Sequence, residues 1–108
     1  MTKEQIIAKR LNIEQQFSKL VDDFRILLSN FGDIPGIADN LNANLIINDI
    51  LMKKKDIEGD LKVLQYKDDN YIENFNAESY INYNQDIISS YQRSYESYKF
   101  DATNRNNL

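Results

Sequence analysis

The 108-residue chain contains no cysteine, no histidine and no tryptophan, one proline and three glycines. Without cysteine there is no disulfide scaffold, thiol nucleophile or thiolate metal site. Without histidine the chain lacks the side chain that most often does acid–base work at neutral pH, and the commonest transition-metal ligand. So little proline and glycine fits long uninterrupted helices better than a turn-rich β fold. No apolar run approaches the roughly 20 residues that span a bilayer, so stable membrane insertion is not expected. The first residues lack the basic and apolar regions of a signal peptide. The expected setting is cytoplasmic, and any export would use a route without a cleaved signal.

What is present is an acidic chain, with 17 carboxylates against 13 basic groups and a net charge of −4. Residues 1–55 carry eight basic and seven acidic groups, whereas residues 56–108 carry five and ten. The excess negative charge therefore lies in the second half. An acidic surface argues against nucleic-acid binding, which needs basic groups to displace counterions. Lys53, Lys54 and Lys55 form the only basic cluster. Three lysines fall short of a polybasic patch, and a solvated helix face is the simpler reading.

The apolar residues recur at helical spacing. Ile6, Ile13, Leu20 and Leu27 are spaced by seven, and so are Arg10, Phe17, Phe24 and Phe31, offset by four. Alternating steps of four and three make the seam of a helix packed along another helix. Val21 and Leu28 widen that seam into the face of a globular bundle. Thr2 with Gln5 three residues on is a capping box, so the first helix is expected over residues 3–31. Arg10, on the apolar seam, reads as a snorkelling or paired residue. Gly32, Pro35 and Gly36 predict a chain reversal.

A second helix is expected over residues 38–66. Ile47, Ile50, Ile57, Leu61 and Leu64 form one stripe, and Leu41, Leu45 and Met52 form another on a different face. A helix apolar on two sides should touch two partners. Gly59 lies inside the pattern, marking a bend or a close approach. Residues 67–70 interrupt the pattern, and Asn70 with Glu73 suits the cap of a new helix. One unbroken helix from the first turn to about residue 100 is the competing reading. Residues 71–100 hold six of the seven tyrosines. Tyr80, Tyr83, Ile87, Tyr91 and Tyr98 follow 3/4 spacing, with Tyr95 beside them. A third helix is favoured over a strand because strict alternation is absent. Residues 101–108 are polar and are expected to form a flexible tail. The fold class implied is all-α, either an elongated antiparallel helical hairpin or a three-helix bundle with long helices, in one domain spanning 1–100.

No catalytic, cofactor-binding or metal-binding motif is recognisable. Asp22 with Asp23 and Asp68 with Asp69 are sequence neighbours, which diverge on a helix rather than forming a dyad. Asn40, Asn42 and Asn44 mimic the start of a calcium loop, but Leu45 and Leu51 occupy the places of its glycine and glutamate. The tyrosine-rich segment is either the core face of the third helix or a contact surface, since tyrosine offers an apolar body with a polar tip. The candidate partner-binding set is therefore Tyr80, Tyr83, Ile87, Tyr91, Tyr95, Tyr98, Leu41, Leu45 and Met52. The intramolecular seam is Ile6, Ile13, Phe17, Leu20, Phe24, Leu27 and Phe31.

A short, acidic, helical chain with a glycine turn between long amphipathic helices resembles the WXG100-like proteins of type VII secretion. It also resembles the helical accessory partners encoded beside LXG-domain toxins. The resemblance is one of architecture. Phe31 and Gly32 stand at the turn in place of Trp-x-Gly, and no tyrosine is followed four residues on by an acid. The resemblance implies a non-enzymatic accessory or chaperone-like partner of a larger helical protein such as a toxin or effector, with no cofactor. The alternatives are a small acidic inhibitor or immunity-type protein, and a phage or cell structural protein that assembles with itself.

Overall fold

A computed structural model describes residues 2–31, 37–66 and 77–106. They form three α-helices: α1 (Lys3–Phe31), α2 (Ile37–Leu64) and α3 (Ala77–Asn106). The turn assigned to residues 32–36, the break at 67–70 and the cap at Asn70 lie outside the described residues, as does the side chain of Phe31.

The start of α1 is fixed by its capping box. The Gln5 backbone N–H donates to Thr2 Oγ1 at 3.2 Å, and the Thr2 N–H donates to Gln5 Oε1 at 2.9 Å. Two otherwise orphaned donors are thereby satisfied reciprocally. At the same end, Lys3 Nζ donates to the carbonyl of Gln65 at 3.2 Å, tying the entry of α1 to the exit of α2.

Helix α1 is the spine. Ile6, Arg10, Ile13, Phe17, Leu20, Phe24 and Leu27 are each at most 3% exposed, and Val21 is buried beside them. On α2, Ala43, Ile47, Ile50, Ile57 and Leu64 are buried and Leu61 is half-buried. Arg10 pairs with Asp60 near the end of α2, so α1 and α2 run antiparallel. Arg10 also meets Tyr80, and Phe24 meets Tyr95 and Tyr98, so α3 runs parallel to α1. The chain goes up, down and up, forming a rod of 59 × 18 × 18 Å.

Two expectations are corrected. The third helix continues through Asn106, and Ala102 is 2% exposed, so residues 101–106 are not a tail. Its buried face is also displaced from the one read off the tyrosines. Ile81, Asn84, Ile88 and Ala102 are buried and continue through half-buried Tyr91, Tyr95 and Tyr98 at 3/4 spacing. Tyr83, expected on that face, is 63% exposed. The physical reason is that Ile81 and Ile88 lie seven apart, and Asn84 between them is tolerated because its amide donates to the Tyr80 carbonyl at 2.9 Å. That bond satisfies a buried polar group within its own helix.

Candidate functional site

The nine candidate contact residues divide into two groups. Five of them face inward. The Tyr95 and Tyr98 rings meet Phe24 edge-on, with centroids 5.5 and 6.3 Å away. Ile87 packs against the core cluster. Tyr91 donates its hydroxyl to the Asp49 carboxylate on α2, which also accepts from Lys53 Nζ at 3.2 Å. Burial above all, and then that hydrogen bond, push the Tyr91 phenol well above its usual range. Tyr80 lies over the Arg10 guanidinium, 4.1 Å from ring centre to Cζ, and burial raises its phenol despite the nearby cation. These rings are held by α1 and α2, so most of the tyrosine stripe is core lining.

Arg10 is the charge at the centre of this arrangement. Its side chain is fully buried, and Nη1 donates to Asp60 at 2.7 Å. A buried cation is tolerated only when paired and hydrogen-bonded. Sequence alone placed Arg10 on the seam without naming Asp60, because the pair is 50 residues apart. Asp60, Asp56, Lys53, Tyr80, Tyr83 and Asn84 line a groove of about 310 Å³ between α2 and α3. A second groove, about 560 Å³, runs between α1 and α3 past Gln16, Lys19, Asp23, Tyr95 and Glu96. There the Asp23 carboxylate, through its hydrogen bond and then its charge, holds the Lys19 ammonium above its usual range.

The other four candidates stand clear of the core. Leu41, Leu45 and Met52 are 60%, 56% and 69% exposed, and Tyr83 rims the α2–α3 groove. At about 100° per residue, Leu41, Leu45 and Met52 lie opposite the buried stripe of α2. Val63 and Tyr66 fall on the same line and are likewise exposed. Sequence reading missed these two because they lie where the apolar pattern of α2 breaks down. Tyr66 lies two heptads from Met52 and Val63 lies eleven residues, about three turns, from it, and those spacings were the available signal.

Gly59 completes that line. A Cβ built on it meets nothing within 4 Å, and α2 continues unbroken on both sides. Such a glycine in an exposed helix interior costs about 1 kcal/mol relative to alanine. Among the described residues, no group of three or more acidic, histidine or cysteine side chains is placed to hold a metal ion. No described helix is long and apolar enough to cross a membrane. No family model matches the chain, and no curated protein or solved structure shows significant similarity to it.

Proposed function

We propose that this chain is a non-enzymatic helical protein–protein interaction module, made in the cytoplasm, that serves as an accessory or chaperone-like partner of a larger helical protein such as a secreted toxin or effector. One observation carries this reading: α2 presents a line of large apolar side chains to solvent on the face opposite its core stripe. Leaving such side chains in water forgoes roughly 1.5–3 kcal/mol of burial for each. Large apolar side chains exposed along one helix face mark an interaction surface. The architectural resemblance to WXG100-like and LXG-accessory proteins, whose partners are themselves helical, supports the same conclusion.

The test is affinity capture from the native host with the wild-type chain and with a Leu45→Glu/Met52→Glu variant. Both positions are exposed, so thermal stability should stay within about 0.5 kcal/mol of wild type. The captured helical protein should disappear from the variant sample. If the variant retains it while Asp56→Asn/Tyr83→Ala loses it, binding belongs to the acidic groove. The inhibitor reading would then replace this one.

A further inference from the structure

We propose that the groove between α2 and α3 takes the guanidinium of an arginine side chain from a partner protein, holding it between the Asp56 carboxylate and the ring of Tyr83. The site needs only the groove, whatever meets the exposed strip of α2. It repeats a constellation that the chain already fills once. The Arg10 guanidinium pairs with Asp60 at 2.7 Å and lies 4.1 Å from the centre of the Tyr80 ring. Because α2 and α3 run antiparallel, a step from Asp60 to Asp56 and a step from Tyr80 to Tyr83 each move about one turn, roughly 5 Å, in the same direction along the rod. The second carboxylate and ring line the same groove as the first. Asp56 is exposed and forms no ion pair among the described residues, and Tyr83 is 63% exposed. Lys53, the cation on the groove wall, is bonded to Asp49 at 3.2 Å.

Asn84 is the independent observation. It lines the groove yet is only 4% exposed. Its amide nitrogen donates to the Tyr80 carbonyl at 2.9 Å, which leaves its Oδ1 without a donor among the described residues. A largely buried acceptor left unpaired is costly, so this atom calls for a donor from outside the chain. The groove thus sets acceptors from Asp56, Asp60 and Asn84 beside an aromatic face. A guanidinium answers both, because its planar N–H donors fork onto a carboxylate while its face stacks on tyrosine. A metal ion does not, since no third acidic, histidine or cysteine side chain joins the two aspartates among the described residues. At about 310 Å³ the groove has room for a side chain, and its exposed rim leaves the ligand's main chain outside. A protein side chain suits it better than free arginine, whose own carboxylate would meet Asp56 and Asp60.

The probes are the blocked peptides acetyl-Gly-Arg-Gly-amide and acetyl-Gly-Lys-Gly-amide, with free arginine as a third, each titrated into the ¹⁵N-labelled full chain. The arginine peptide should shift the backbone amides of Asp56 and Tyr83 and the side-chain amide of Asn84. It should bind about threefold more tightly than the lysine peptide or free arginine. Asp56→Asn should weaken it about tenfold, through loss of the charged acceptor. Tyr83→Ala should weaken it about threefold, and Tyr83→Phe, which keeps the ring, should leave it unchanged. Both positions are exposed, so each variant should melt with the wild type, which separates loss of binding from loss of fold. No binding, equal binding of the arginine and lysine peptides, indifference to Asp56→Asn, or shifts confined to the α1–α3 groove would each overturn the proposal. Tighter binding of free arginine than of the peptide would overturn the assignment to a protein side chain. If the peptide fails to bind while capture from the host still depends on Leu45 and Met52, this site fails and the interaction reading stands.

Discussion

Arg10 occupies a place in the heptad where isoleucine or leucine would ordinarily sit, and it keeps its charge there through Asp60 and the face of Tyr80. A buried ion pair contributes little net stability, but breaking it leaves an uncompensated charge. The two single substitutions should therefore behave differently. Arg10→Met should be neutral or stabilising, within about 1 kcal/mol. Asp60→Asn should cost about 3 kcal/mol, near the lower end for such pairs because the Asp60 side chain is 42% exposed. Urea denaturation with an unchanged m value would measure both, and a neutral Asp60→Asn would overturn the account. Arg10 was legible in the sequence because its interval of seven with Phe17 and Phe24 is visible in one dimension. Asp60 was not, because pairing across helices depends on a register that local spacing does not encode.

At the scale of the element, legibility followed side-chain chemistry. Helix α1 could be read almost residue by residue, since every seam position but Arg10 is large and apolar. Helix α3 could not, because tyrosine fits both a core and a rim, so five tyrosines left the face ambiguous by one position. The two buried ones among its three isoleucines, Ile81 and Ile88, decide the face once packed. The end of α3 was misread for a related reason. Residues 101–106 include aspartate, threonine and asparagine, all poor helix formers, yet the helix persists because Ala102 is buried against the core. Tertiary packing there overrides local preference. Deleting residues 101–108 should lower stability by about 1 kcal/mol, the scale of one buried methyl group. An unchanged thermal midpoint would return the segment to the status of a tail.

For the whole molecule, the asymmetry of the bundle matters more than its helix count. Helix α1 lies close to both of its neighbours, and the Tyr91–Asp49 bond ties the third helix to the second. That link has a predictable pH dependence. The Tyr91 phenol is raised in the folded state by burial and by Asp49. Its contribution is fully present below the unfolded value of about 10 and is lost as pH rises above it, because the unfolded chain releases the proton first. Wild type should therefore lose stability more steeply than Tyr91→Phe above about pH 10, as followed by circular dichroism melts. Parallel curves would show that the bond carries no such linkage.

The direction of α3 has a consequence for how the molecule can be tethered. Thr2 lies beside the exit of α2 at one pole of the 59 Å rod, and Asn106 lies beyond the level of Phe24 at the other. Anything joined ahead of α1 and anything joined after α3 would leave from opposite poles. The bundle is thus a strut as well as a surface. A fluorophore pair placed at residues 2 and 106 would report a long, fixed separation along the 59 Å axis.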